Sequence, residues 1–201
     1  MTRSPDGFMR WMLIVAATAL ALQARPAVVL DNAQVRAYRT TADALAAVEQ
    51  GPAVVVSLEP GTLGETIWLD DAASDPAGAR IHGAIAVVQP LRARSSPAAG
   101  GSKPGDAPFT GMSFRPIFEN ERVSALRARM EVGAQEGFHT HGSDTIVVHL
   151  SGGEIEDTAD GRTVVNRWAR GDVEFEVLGS SHSARNVGGA VDVVLVVLKP
   201  R

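Results

Sequence analysis

"GFHTHGSDTIVVHLSGG", residues 137–153, decides how this chain is read. It begins with two histidines one residue apart, His139 and His141, and runs straight into "TIVVH", an alternating, β-branched stretch. Residues two apart on a strand point to the same face, so both imidazoles share one side. Two neutral imidazoles on one face are half of a metal site, and a third ligand has to arrive from a neighbouring strand. His149 shares the inward face with Thr145 but lies roughly 13 Å deeper along the strand. It reads as a pocket wall or a buried, hydrogen-bonded histidine rather than a ligand.

The surroundings are β-rich. The chain has 201 residues, 45% hydrophobic, with 20 Gly and 11 Pro, enough for one full domain and something smaller. Downstream of Phe109 short strands recur: "ERVSALRARM", "TIVVHLSG", "GEIEDTA", "RTVVNRW", "VEFEVL" and "AVDVVLVVL". Asp160-Gly161 between two of them is a hairpin signal. Upstream, "AVVLDNAQVRAYRT" reads as one strand and "TADALAAVEQ" as a short helix. "GPAVVVSLEPG", "GETIWLDDA" and "GAIAVVQPL" read as three more strands. Many short strands with regular turns point to a sandwich or barrel. Residues 92–108, "RARSSPAAGGSKPGDAP", lack periodicity and read as a linker or surface loop.

The two β-rich parts echo each other. "VLDNAQVRAYR" at 29–39 matches "IFENERVSALR" at 117–127, and "VVVSLEPG" at 54–61 matches "IVVHLSGG" at 146–153. "AVVQP" at 86–90 gives a weaker echo of "VVLKP" at 196–200. Matches in the same order point to a duplication in which residues 28–91 kept the scaffold and lost the histidines.

Residues 1–24 follow a different logic. Arg3 and Arg10 precede "WMLIVAATALALQA", an uncharged run that ends in small residues near Ala21 and Ala24. This is the pattern of a secretory signal peptide, with an uncleaved anchor or a buried helix as the alternative. The expectation is a periplasmic or secreted chain with no stable membrane span after cleavage. There is no cysteine, hence no disulfide. Net charge is −4 and no Lys/Arg cluster occurs, which argues against nucleic-acid binding.

The spacings around the histidines carry a resemblance. Gly133, five residues, His139, one residue, His141, three residues, Thr145, six residues, Gly152 is one series. Gly171, five residues, Val177, one residue, Gly179, two residues, His182, three residues, Asn186 is the other. Both resemble the paired motifs of the cupin superfamily. The resemblance covers residues 112–200 and implies an all-β, double-stranded, jelly-roll-like barrel, with a smaller cupin-like half at 28–91. It implies that His139, His141 and His182 bind a divalent metal, of which Fe, Mn, Zn, Ni and Cu all suit imidazole. Thr145, His149 and Asn186 are placed in the pocket wall. Two positions depart from the pattern: Thr145 stands where the family has a glutamate ligand, and Val177 stands where it has proline. Asp144 reaches inward in place of that glutamate only if the strand bulges at Gly142-Ser143. Glu174 and Glu176 alternate with Val173 and Phe175 and are expected on the solvent side. Arg185 is expected at the surface.

Three neutral ligands leave the charge of a divalent ion uncompensated, which favours a small anionic ligand. The functional expectation is a metal-dependent oxygenase acting on such a molecule, or else a non-catalytic binding or accessory module. A homodimer is the expected assembly if there is one.

Overall fold

The computed structural model describes residues 25–74, 81–91 and 107–199. The expected signal peptide, and all but Ala107 and Pro108 of the expected linker, lie outside the described residues.

The described residues are almost all β, as expected. The upstream part builds β1 (Ala27–Asp31), β2 (Val35–Thr41), β3 (Ala53–Ser57), β4 (Thr66–Leu69) and β5 (Ala84–Pro90), with a short 3-10 helix at Ala42–Ala47. The downstream part builds β6 (Thr110–Glu119), β7 (Val123–Thr140), β8 (Thr145–His149) and β9 (Gly153–Ala159). It continues with β10 (Arg162–Trp168), β11 (Val173–Glu176), β12 (Ser181–Asn186) and β13 (Val191–Leu198). The run read as one strand at 27–40 is a hairpin. Asn32 breaks it, its side-chain oxygen accepting from the backbone N–H groups of Gln34 and Val35. Asn120 makes the same turn between β6 and β7, accepting from Arg122 and Val123. The β9–β10 hairpin closes through Asp160 and Gly161, both at positive φ (50° and 74°), as a type I′ turn requires.

The two sheets share a strand order. The first runs β1-β2-β5-β3-β4. In the second, β6 pairs with β7, and β7-β13-β8-β11 follow in the same sense. The registers agree as well. Val88 lies opposite Ala37 and Val54, and Val196 lies opposite Ala125 and Ile146. Val88 therefore corresponds to Val196, so the weak "AVVQP"/"VVLKP" echo is two residues out of step. The second sheet has three further strands, β12, β9 and β10, which extend it beyond β7.

The sheets bury one face against each other. Val35, Val54, Val56, Leu58 and Val88 of one meet Val123, Ile146, Val148, Leu150, Val194 and Val196 of the other. The opposite face of the first sheet is sealed by Leu45, Val48, Ala72 and Ile81 packed on Val55 and Val87. The opposite face of the second sheet lines a cavity of about 300 Å³. Strand β7 turns the corner of this barrel. It pairs with β13 up to Met130 and with β12 from Gln135 onward, and Gly133 at φ 75° sits between. A side chain is strained at that φ, which accounts for glycine at the head of the first motif.

Candidate metal centre

The two histidine segments meet as antiparallel neighbours, with His182 of β12 opposite His139 of β7. The connection is lashed down by the turn at Val177–Ser180. His141 N–H donates to Ser180 O and Gly179 N–H to His141 O, both at 2.9 Å. Gly179, at φ 82°, makes that turn.

The three imidazoles face one point, their ligand atoms all within 4.8 Å of one another. Two of them have the other nitrogen hydrogen-bonded. His139 Nδ1 donates to Gly137 O at 2.9 Å, and His182 Nδ1 donates to Asp157 Oδ1 at 2.8 Å. His141 Nδ1 lies 3.5 Å from Glu176 Oε2. Such outer partners fix the tautomer and turn the Nε2 lone pair toward a metal. The Nε2 atoms of His141 and His182 stand 3.1 Å apart. Two nitrogens about 2.1 Å from one ion and at roughly a right angle have that separation. Burial, then the neighbouring His182 and His139, lower the His141 pKa to about 4, so it is neutral at pH 7, as a ligand must be. The residues present fit a divalent metal.

Three carboxylates, Glu136, Asp157 and Glu176, stand against the trio and a fourth, Glu174, lines the cavity beside His149; sequence reasoning placed none of them there. Glu174 and Glu176 do alternate with Val173 and Phe175, and the apolar pair does face a core, the one between the sheets. The other side of β11 is the cavity, not solvent, so the acids point inward. Glu176 is the cross-strand partner of Thr145, so the carboxylate missing at Thr145 arrives from the adjacent strand. Glu136 reaches the cavity through a β-bulge. Four residues of β7, Glu136 to His139, are matched to three of β12, Ala184 to His182. The extra residue puts positions three apart on the same face. Glu136 Oε2 ends 3.7 Å from His182 Nε2. Asp157 follows from the β9–β12 pairing. Burial raises the pKa of Glu136, and burial together with Glu136, Glu174 and Asp157 raises that of Glu176 well above the usual range.

The remaining candidates separate cleanly. Thr145 and His149 line the cavity. Asn186 does not. Its amide donates to the carbonyls of Met130, Glu131 and Gly189, and its oxygen accepts from Gly188 N–H. It clamps the β12–β13 turn to the corner of β7. Asp144 is buried, but its Oδ1 accepts from Leu178 N–H at 2.8 Å, which holds the turn after β11 rather than the histidine cluster. Arg185 pairs with Glu156 at 3.0 Å on the outer face.

An eight-stranded curled sheet, both motifs on the strands that meet at its mouth, and three converging histidines make the downstream half a jelly-roll-like barrel with a candidate metal centre. No family model matches the sequence, and no curated protein matches it. Among solved structures, the chain is similar to a cupin domain from Bordetella pertussis Tohama I, at 24% identity over 44% of this chain and 94% of that one, TM-score 0.42. It is also similar to a conserved protein of unknown function from Streptococcus pyogenes, at 28% identity over 45% and 75%, TM-score 0.37. KdgF from Halomonas sp. is similar at 17% identity over 51% and 96%, TM-score 0.38.

Proposed function

We propose that the barrel is a metal-dependent enzyme domain holding one divalent first-row metal on His139, His141 and His182, and acting on a small molecule in the adjoining cavity. The observation that carries this reading is the convergence of the three imidazoles, with Nδ1 of His139 and of His182 hydrogen-bonded elsewhere. Bound there, the ion would supply Lewis acidity or, as iron, dioxygen activation. The chain's own part is acid–base chemistry. Glu136 and Glu176 hold their protons to higher pH than ordinary carboxyls, so they can give or take one at the cavity wall. Asp157 and the Gly137 carbonyl keep His182 and His139 in one tautomer. The phenyl ring of Phe109 packs edge-on to His139 at 4.7 Å and covers that side of the cluster.

The oxygenase expectation stands within this proposal as one reaction class. The binding-module reading applies if metal is held without turnover. The proposal extends to history and location: residues 28–91 are a reduced copy of the barrel, and residues 1–24 direct export. N-terminal sequencing of an exported form starting near Leu22 or Arg25 supports the last point, and an intact Met1 in the cytoplasm sinks it.

Elemental analysis tests the metal centre. The parent should carry about one equivalent, and His139→Ala, His141→Ala and His182→Ala should each lose most of it, whereas His149→Ala should not. Oxygen-uptake screening of the iron-loaded protein then tests the reaction class. Full metal content in all three variants, or none in the reconstituted parent, overturns the proposal.

A further inference from the structure

The cavity has a second polar station. His149 is buried, 1% exposed, and lines the cavity. Neither of its ring nitrogens has a hydrogen-bond partner among the described residues. Its nearest carboxylate oxygen, on Glu174, lies 3.7 Å from Nε2, beyond hydrogen-bond length. Trp168 stacks on the imidazole at 4.7 Å, nearly parallel at 16°, and fixes the ring. A buried imidazole without partners is costly unless something else satisfies it. A hydroxyl or amine seated beside this gap, about 2.8 Å from each end, would bond both. His149 follows Thr145 by four residues on β8, so this station lies roughly 13 Å along the strand from the metal end. The cavity wall also includes Val147, Ile155, Val193 and Leu195.

The charge of the cavity points the same way. Glu136, Asp157, Glu174 and Glu176 all line it, and among the described residues no lysine or arginine does. At the inner station Glu174 stands beside His149, where a hydrogen-bond donor or a cation is favoured and an anion meets an acid with no basic side chain to offset it. The anionic ligand expected from three neutral histidines took no account of these four acids.

We infer that the cavity selects a small uncharged or cationic molecule over an anion, and that a hydroxyl or amine of this molecule is held between His149 and Glu174, against Trp168. The inference rests on the proposed function only in that both use one cavity; the inner station stands without the metal.

Matched probes test it: hexylamine, 1-hexanol and hexanoate, titrated calorimetrically into metal-free and zinc-loaded protein. Hexylamine and hexanol should each bind at least about tenfold tighter than hexanoate in both forms, and Glu174→Gln should shrink the amine's margin to about threefold or less. Selection of the amine by metal-free protein that takes up no zinc sinks the metal centre and leaves this inference standing. Hexanoate binding as tightly as hexylamine to the zinc-loaded protein overturns the inference. So does binding of none of the three, or a Glu174→Gln variant with normal circular dichroism and an unchanged amine margin.

Discussion

The upstream sheet and the downstream barrel differ most where they are most alike. Strand for strand, β1-β2-β5-β3-β4 matches β6-β7-β13-β8-β11, and both open with the same Asn-centred turn. Yet the inward positions have diverged. By register, Ala53 and Leu69 stand where the barrel has Thr145 and Glu176, Val55 and Ile67 where it has Val147 and Glu174. Ser57 stands where it has His149. Among the described residues the first sheet has no counterpart of β9, β10 and β12, which carry Asp157, Trp168 and His182. In their place, Leu45, Val48, Ala72 and Ile81 fill the space with apolar side chains. One face of the scaffold is retained for packing in both halves, while the other is a sealed core in one and a polar cavity in the other. Apolar filling adds stability where an open cavity with buried carboxylates costs it.

The largest test of this pairing is in the shared core. Leu150 and Leu58 occupy matching positions and are both buried between the sheets. Leu150→Ala and Leu58→Ala should each cost about 2–5 kcal/mol in denaturant unfolding, within a single transition for the whole chain. Two separated transitions would show that the sheets fold independently and break the comparison.

A smaller effect should appear with pH and belong to the barrel alone. In metal-free protein, His141 has its pKa lowered to about 4, so an unfolded histidine protonates first as pH falls. Its contribution is present above the ordinary histidine pKa of about 6.5 and is lost as pH drops toward 4. Glu136 and Glu176 are raised, so the unfolded chain loses their protons first. Their contribution is present below the ordinary glutamate pKa of about 4.3 and is lost as pH rises through the folded values. Glu176→Gln should flatten the alkaline limb of a stability–pH curve. Leu69 occupies the matching upstream position, and Leu69→Met should leave that limb's slope unchanged. An alkaline limb identical in parent and Glu176→Gln protein argues that the carboxyl is not held protonated.

The smallest effect sharpens the comparison at its turns. Asn32→Ala and Asn120→Ala each remove one side-chain acceptor from two backbone N–H groups. Each should cost about 1 kcal/mol in chemical denaturation, and the two costs should agree closely. A large inequality would mean that the turns are alike in geometry only.

Much of this was legible in the chain. The spacing of His139, His141 and His182 marked the three residues that converge, because a strand's period of two and a fixed motif spacing survive folding unchanged. Asp160-Gly161 marked its hairpin for the same local reason. Asn32 was misread because an apolar run on both sides hid a turn that one side chain makes. Asn186 was placed in the pocket by analogy with its neighbour His182, though its amide instead ties a corner.

What the sequence determined by itself was therefore the set of local periods: which residues alternate, where turns fall, and which histidines share a face. Tertiary structure alone decided which side of each strand is inside. Val173 and Phe175 face a core in either case, but only a second sheet packed on them leaves Glu174 and Glu176 pointing into a cavity rather than water. Only the bulge between Glu136 and His139, fixed by pairing with β12, puts both on one face. Alternation has two faces and no label, and the label comes from what the strand is packed against.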